Sequence, residues 1–131
     1  MNDISYKNNM AHKILIVDDE PNILMSLEFL MKKNGFEVFI ARNGTEALEI
    51  IAAQLPQLIL LDIMMPDVDG YEVCRQVKEN ELTKHIHIIF LSAKGKEVDI
   101  NKGLSLGASL YVTKPFSTRT LLVEINKLLE G

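Results

Sequence analysis

The sequence has few of the features that mark a secreted, membrane-spanning or nucleic-acid-binding protein. It contains one cysteine, Cys74, which excludes an internal disulfide and is typical of a small buried apolar residue. No apolar run approaches the roughly 20 residues needed to cross a bilayer, and residues 1–9 have no signal-peptide core. The formal net charge of -4 and the lack of a cluster of Lys and Arg argue against direct binding to nucleic acid. We therefore expect a cytoplasmic protein that binds neither membranes nor nucleic acid.

The chain also lacks the linkers and internal repeats that divide a sequence into domains. Its 131 residues suit one domain with one sizeable core, and no Pro/Gly/Ser-rich segment interrupts them. Residues 1–12 are polar and rich in asparagine, without helical or strand periodicity. We expect a flexible N-terminal arm there, followed by a single domain at residues 13–131.

Five apolar segments alternate with five helical patterns. The segments lie at residues 13–17, 36–40, 58–61, 85–91 and 109–113. Apolar residues recur at helical spacing between them, as Ile23, Leu27 and Leu30 do after Pro21. Parallel strands need crossover connections, which are right-handed almost without exception. The sequence predicts a doubly wound α/β fold, a five-stranded parallel sheet with helices on both faces.

The helix predicted within residues 95–106 has the weakest pattern. Gly95 and Gly103 lie in this segment, and glycine lowers the stability of a helix. We expect a marginal, mobile helix.

The most informative stretch is the apolar run Leu58–Leu61 with the carboxylate of Asp62 directly after it. The run does not alternate with polar residues, which is typical of a strand buried on both faces, and it ends in a turn rich in Pro, Asp and Gly. We expect Asp62 at the carboxyl end of a central strand, outside the buried core, where open α/β sheets bind ligands. Asp67 and Asp69 are assigned to turn geometry next to Gly70, outside the site.

Polar residues follow the other strands as well. Asp18 and Asp19 follow the first strand, Ser92 the fourth and Lys114 the fifth. Because the carboxyl ends of parallel strands share one edge, we expect these residues to meet Asp62 in one shallow site. Clustered carboxylates repel each other unless a cation or protons relieve them, and oxygen ligands of this kind suit Mg²⁺. With an ammonium and a hydroxyl nearby, the pattern predicts a receptor for a phosphoryl group attached to Asp62.

These motifs together resemble the response-regulator receiver domain of two-component signalling, similar to the chemotaxis receiver. The resemblance covers residues 13 to about 130. It rests on residues 14–20, residues 60–66 with Asp69-Gly70, residues 91–93, Gly107-Ala108, and residues 111–116. It implies a flavodoxin-like strand order of 2-1-3-4-5 and a cis Lys114-Pro115 bond.

The resemblance also implies a role for each candidate residue. Asp62 would be the phosphoacceptor, and Ser92 and Lys114 would contact the phosphoryl oxygens. Ser92 and Tyr111 would form the switch. The implied Mg²⁺ ligands are Asp18 (through water), Asp19, Asp62 and the backbone carbonyl of Met64.

The implied partners are a sensor histidine kinase or phosphotransfer protein and a downstream target. That target is either a separate protein or an output domain outside these residues, and it would bind the face made by the fourth helix, fifth strand and fifth helix. Phosphorylation-dependent dimerisation through that face is left open. Apart from catalysing its own phosphoryl transfer and autodephosphorylation, the protein is not expected to be an enzyme.

Two alternatives stay open at this point. A phosphohydrolase of the haloacid dehalogenase type also uses an aspartate nucleophile and Mg²⁺, but the Asp-x-Asp that such enzymes carry is missing, since Met64 stands where the second acid would be. A receiver-like module that binds partners without phosphorylation is the other alternative. Finally, His85 and His87 would share one face of the fourth strand, but without a third ligand they do not predict a zinc site.

Overall fold

A computed structural model describes residues 12–130 of the chain. Strands and helices alternate along these residues. The strands are β1 (Lys13–Val17), β2 (Glu37–Ala41), β3 (Leu58–Leu61), β4 (His87–Ser92) and β5 (Leu110–Thr113). The helices are α1 (Pro21–Lys33), α2 (Gly44–Gln54), α3 (Gly70–Glu79), α4 (Glu97–Ser105) and α5 (Thr118–Glu130). The predicted N-terminal arm lies outside the described residues except for His12, whose carbonyl accepts a hydrogen bond from Glu37 N at 3.1 Å.

The strands form one parallel sheet in the order β2-β1-β3-β4-β5. Val17 pairs with Leu61, and Leu61 pairs with Phe90. The carboxyl ends of β1, β3 and β4 therefore lie side by side at one edge, as the doubly wound prediction requires. The fold class and strand order are confirmed.

Successive residues of a strand point to opposite faces of the sheet, so the strand residues divide between two apolar clusters. Helices cover both clusters. Sheet residues of the first cluster include Leu15, Val17, Ile59, Leu61 and Phe90, with Ala47, Ile51, Val73 and Cys74 from α2 and α3. Those of the second include Ile14, Ile16, Leu58 and Leu60, with Leu24, Leu27, Leu121 and Ile125 from α1 and α5. A continuous apolar run suits β3 because both of its faces are covered.

The glycine that weakens the pattern of α4 has a packing reason. A Cβ on Gly103 would lie 2.9 Å from ring carbons of both Phe90 and Tyr111. The helix can approach the sheet here only because residue 103 has no side chain. Mobility of α4 stays a prediction.

The fourth strand begins at His87, two residues later than the sequence pattern predicts. The prediction that His85 and His87 share one face of this strand is therefore wrong. His85 is exposed in the turn that precedes β4, whereas His87 opens the strand. The His87 Nδ1 atom lies 2.9 Å from Ser109 Oγ. In the part of the chain that the structure describes, no helix is long and apolar enough to cross a membrane.

Candidate functional site

The two strands that carry the acids continue their hydrogen bonding one residue past their ends. Asp62 N donates to Val17 O at 2.9 Å, and Asp18 N donates to Ala41 O at 3.1 Å. The backbones of both aspartates are therefore fixed by the sheet. Their side chains leave from its carboxyl edge, where the sequence placed them.

Three carboxylates meet at this edge. Asp18, Asp19 and Asp62 each offer one carboxylate oxygen, and these oxygens all lie within 4.8 Å of one another. Hard divalent cations prefer oxygen ligands, so this donor set fits Mg²⁺. The sequence-predicted metal cluster is brought together by the fold.

Asp62 is more buried than the sequence suggests. It lies at the sheet edge as expected, but the expectation that it would be outside the buried core is wrong, since the residue is only 6% exposed. One cause is the β3–α3 loop, residues 62–69, which folds back so that Gly70 N donates to Ile63 O at 2.8 Å. A Cβ on Gly70 would lie 2.2 Å from Asp62 O, so glycine permits this close return.

Burial and, to a smaller extent, the neighbouring charge of Asp18 raise the pKa of Asp62 to about 6. The charge of Lys114 and the N–H of Ile63, which donates to Asp62 Oδ1 at 2.9 Å, oppose this rise in pKa. A cation near Asp62 would therefore stabilise the ionised, nucleophilic carboxylate.

Lys114 supplies a positive charge between the acids. Its Nζ lies 2.9 Å from Asp18 Oδ2, 3.0 Å from Glu20 Oε1 and 3.9 Å from Asp62 Oδ1. Burial lowers the pKa of Lys114, but the hydrogen bonds to Asp18 and Glu20 and the charges of Asp62 and Asp18 together raise it overall. The lysine therefore stays protonated. The peptide bond between Lys114 and Pro115 is cis, as predicted.

The two predicted switch residues both hydrogen-bond to the backbone of Lys94. Ser92 is fully buried at the end of β4, and its Oγ accepts a hydrogen bond from Lys94 N at 3.1 Å. The half-buried Tyr111 donates its hydroxyl to Lys94 O at 2.6 Å. Ser92 and Tyr111 are thus linked through the backbone of Lys94, a connection that no sequence pattern predicts.

An open cleft of about 580 Å³ lies beside the carboxylates. Its lining includes Asp19, Met64, Tyr71, Lys94 and Lys102. The Met64 side chain is 62% exposed. The cleft gives access to the carboxylate cluster from solvent.

Sequence reasoning assigned no role to Tyr71. Its hydroxyl donates to Asp99 O at 3.1 Å, and its ring packs edge-on against Phe90 with 5.6 Å between the ring centroids. Lys102 Nζ lies 4.3 Å from the centroid of the Tyr71 ring. Tyr71 of α3 therefore binds α4 by two contacts. The only signal in the sequence was an aromatic residue at the start of a helix.

Of the two loop aspartates, Asp69 behaves as turn geometry predicts. Its side chain accepts a hydrogen bond from Glu72 N at 2.9 Å and caps α3. Asp67 also accepts from its own loop, through Val68 N at 2.6 Å, but its remaining contacts go to α2.

The family is decided by comparison with known proteins. Residues 14–126 match the family model of the response regulator receiver domain. The chain belongs to this family. Receiver domains are signalling modules of two-component response regulators and are in general not enzymes; they bind Mg²⁺ at an acidic pocket and interact with histidine kinases or phosphotransfer proteins.

Solved structures of receiver domains share the fold. A response regulator from Chloroflexus aurantiacus is 35% identical with a TM-score of 0.86, and the alignment covers 92% of this chain and 98% of that one. The receiver domain of a histidine kinase from Syntrophus aciditrophicus is 33% identical with a TM-score of 0.85, covering 92% of both chains. The BeF3-activated N-terminal receiver domain of RstA from Klebsiella pneumoniae is 29% identical with a TM-score of 0.85, covering 92% of this chain and 100% of that one.

Proposed function

We propose that this receiver domain accepts a phosphoryl group on Asp62 from a histidine kinase or phosphotransfer protein, in a Mg²⁺-dependent reaction, and that the modification changes its affinity for a partner. The observation that carries the proposal is the carboxylate cluster at the sheet edge, with Lys114 Nζ 3.9 Å from the proposed nucleophile. The reaction is expected in the cytoplasm.

In the transfer step, an oxygen of Asp62 attacks phosphorus and the bond from phosphorus to the donor nitrogen breaks. The electron pair leaves with the donor, whose imidazole takes up a proton. Mg²⁺ held by Asp19, Asp62 and the Met64 carbonyl, and by Asp18 through water, would supply positive charge to the phosphoryl oxygens. Catalysis of such a transfer consists mainly of positioning and charge neutralisation.

Lys114 has a second role after transfer. The aspartyl phosphate carries a charge of about -1.5 to -2 on phosphoamino-acid precedent, more than either of the two carboxylates that now bind the lysine. Lys114 therefore moves its contact from Asp18 and Glu20 to a phosphoryl oxygen. Ser92 donates its hydroxyl to another.

Movement of Ser92 transmits the change to the partner face. Its Oγ now accepts a hydrogen bond from Lys94 N, and Tyr111 donates to the carbonyl of the same residue. When Ser92 turns toward the phosphate, the loop before α4 shifts and Tyr111 moves with it. Val98 and Leu104 of α4 and Val123 of α5 are exposed. We propose that a downstream protein, an output domain or a second copy binds the face made by α4, β5 and α5.

The second candidate is a receiver-like module that binds partners without phosphorylation. The assembled carboxylates, Ser92 and Lys114 argue against it, because a module of this kind needs none of them.

The test is the intact mass of the protein after incubation with acetyl phosphate, with and without Mg²⁺. We expect the wild type to gain one phosphoryl group only with Mg²⁺, and Asp62→Asn to gain none. Asp69→Asn is the matched control, because asparagine caps a helix as well as aspartate does and residue 69 is outside the carboxylate cluster. If the wild type gains no mass under any condition, the phosphorylation-independent module is the better account.

A further inference from the structure

Asp67 joins the β3–α3 loop to a helix that precedes it in the chain. Its Oδ1 accepts a hydrogen bond from Gly44 N at 3.0 Å, and its Oδ2 accepts one from Thr45 N at 3.3 Å. The Thr45 hydroxyl also donates to this carboxylate, and this bond, together with those from the N–H groups of Val68, Gly44 and Thr45, lowers the pKa of Asp67 to about 2. The carboxylate is ionised at neutral pH, as an ordinary aspartate is. The loop and the helix are thus connected by one charged side chain.

The contact completes the hydrogen bonding of the first turn of α2. Backbone N–H groups at the start of a helix have no partner within the helix. Asn43 Oδ1 accepts from Glu46 N at 2.8 Å, and Asp67 accepts from the two residues before it, Gly44 and Thr45. The carboxylate also lies at the end of the helix where negative charge is favourable. Asp67 therefore acts as a second cap, supplied by another element.

Close packing accompanies this cap. A Cβ on Gly44 would lie 2.1 Å from Val68 O and 2.6 Å from Val68 Cβ. Only a residue without a side chain lets the loop lie directly against the helix. The hydrogen bond from Gly44 N to Asp67 and the packing of Gly44 against Val68 therefore fix the distance between the loop and the first turn of α2.

The loop that is held in this way begins at the proposed phosphoacceptor. The hydrogen bond from Gly70 N to Ile63 O at 2.8 Å joins the two ends of this loop. Residues 64–66 lie between that anchor and Asp67. The Met64 side chain is 62% exposed, so its packing contributes little to fixing this stretch.

We propose that Asp67 is a positioning residue for the metal site: by binding the first turn of α2, it fixes the β3–α3 loop so that the backbone carbonyl of Met64 lies at the distance from Asp62 that Mg²⁺ requires. The inference rests on the proposed function, in which that carbonyl is a ligand. Mg²⁺ demands near-ideal octahedral geometry at about 2.0–2.1 Å, so a small displacement of the loop weakens binding. Asp67 itself touches neither the metal nor the phosphoryl group.

The test is the Mg²⁺ dissociation constant, measured by calorimetry, of the wild type, Asp67→Ala, Asp67→Asn and Asn43→Ala. Replacing a residue that orients a metal ligand typically lowers metal affinity by about 10- to 100-fold. We expect Asp67→Ala to weaken Mg²⁺ binding by about 10-fold. Asp67→Asn should lie between Asp67→Ala and the wild type, because the amide oxygen can accept one hydrogen bond but carries no charge. Asn43→Ala removes the other cap of the same helix, which bonds to Glu46 N within α2, and leaves the bonds of Asp67 in place, so its Mg²⁺ affinity should stay close to that of the wild type.

A second readout separates positioning from chemistry. The rate of phosphorylation by acetyl phosphate should be reduced in Asp67→Ala at low Mg²⁺ and should return to that of the wild type at saturating Mg²⁺. Thermal unfolding of Asp67→Ala and Asn43→Ala is the control for folding. We expect both variants to be folded and to lose similar amounts of stability.

The outcomes that overturn the proposal are distinct from those that overturn the proposed function. If the wild type binds Mg²⁺ and Asp67→Ala binds it equally well, Asp67 does not position the site. If Asn43→Ala loses as much affinity as Asp67→Ala, the stability of α2 is the cause and the proposal is again overturned. If the wild type binds no Mg²⁺ at all, both the positioning role and the proposed function fail.

Discussion

Lys114 Nζ is hydrogen-bonded to Asp18 Oδ2 at 2.9 Å, an acid that is only 2% exposed. Its distance to Asp62 Oδ1 is longer, at 3.9 Å. In this state the lysine neutralises the buried Asp18. In the proposed function, Lys114 would exchange Asp18 for the phosphoryl group on Asp62.

Replacing this lysine by an apolar residue of similar length should destabilise the protein. In Lys114→Met, Asp18 would remain buried without its cation, and breaking a buried pair by removing one partner costs on the order of 3 kcal/mol. Urea unfolding without divalent cations measures the loss. Adding Mg²⁺ should restore part of the stability, because another cation would then face Asp18.

Lys127→Met is the matched control for Lys114→Met. Lys127 Nζ lies 3.7 Å from Glu124, and its side chain is 68% exposed. Exposed ion pairs contribute about 0–1 kcal/mol to stability, so the free energy of unfolding of this variant should be close to that of the wild type. Equal losses in the two variants would contradict the role given to the Asp18 pair.

Removal of the charge of Asp62 should stabilise the metal-free protein at neutral pH. The pKa rises from an ordinary value of 3.8 to about 6 because the carboxylate is buried beside Asp18. A rise of this size corresponds to on the order of 3 kcal/mol in favour of the protonated form. Asp62→Asn keeps the shape without the charge, so its free energy of unfolding near neutral pH should exceed that of the wild type.

The pH dependence of this gain has a defined sign. Below the unfolded pKa of 3.8, Asp62 is protonated in both states and the variant has no advantage. As the pH rises toward about 6, the unfolded chain releases this proton more readily than the folded protein does, so the wild type loses stability relative to Asp62→Asn. Above about 6 the difference is constant. Unfolding across this range checks the account, and a variant that is less stable than the wild type at neutral pH would be evidence against it.

Gly103 should not tolerate alanine, even though alanine favours helices by about 1 kcal/mol. The new methyl group would lie 2.9 Å from the rings of Phe90 and Tyr111, and overpacking of this kind typically costs about 1–3 kcal/mol. Gly95→Ala is the control, because its nearest neighbour would be Thr113 Cγ2 at an ordinary 3.5 Å. Thermal unfolding of both variants should show a loss in the first alone.

Tyr71→Phe should loosen α4 locally. The substitution keeps the ring but removes the hydroxyl that donates to Asp99 O. A hydrogen bond contributes about 1 kcal/mol, which corresponds to roughly fivefold faster amide hydrogen exchange. The increase should be confined to α4 and leave α2 unchanged. Uniform acceleration throughout the protein would show that Tyr71 supports the whole fold and not this helix.

The parts of the site that directly follow a strand in the sequence could be predicted. The apolar run of β3 ends at Asp62, that of β1 at Asp18 and that of β5 at Lys114. The parallel sheet then brings these side chains to one edge. Periodicity and strand ends are local signals, and the topology that joins them follows from the crossover rule.

The contacts that the sequence could not predict depend on the approach of two elements across the fold. Asp67 lies in a turn-rich segment and was assigned to turn geometry. Its carboxylate also binds the first turn of α2, which comes earlier in the chain. Tyr71 looked like any aromatic residue at the start of a helix, and its hydroxyl reaches α4. The burial of Asp62 likewise depends on how the loop returns over it. Periodicity does not encode such distances.

The central claim is that Asp62 is the residue that carries the phosphoryl group. The most direct test is to reduce the phosphorylated protein with borohydride, which converts an aspartyl phosphate into homoserine, and to locate the product by peptide mass mapping. The account predicts homoserine at position 62, formed only after incubation with phosphodonor and Mg²⁺. Homoserine at position 18 or 19 instead, or its absence from a protein that has gained phosphoryl mass, would contradict it.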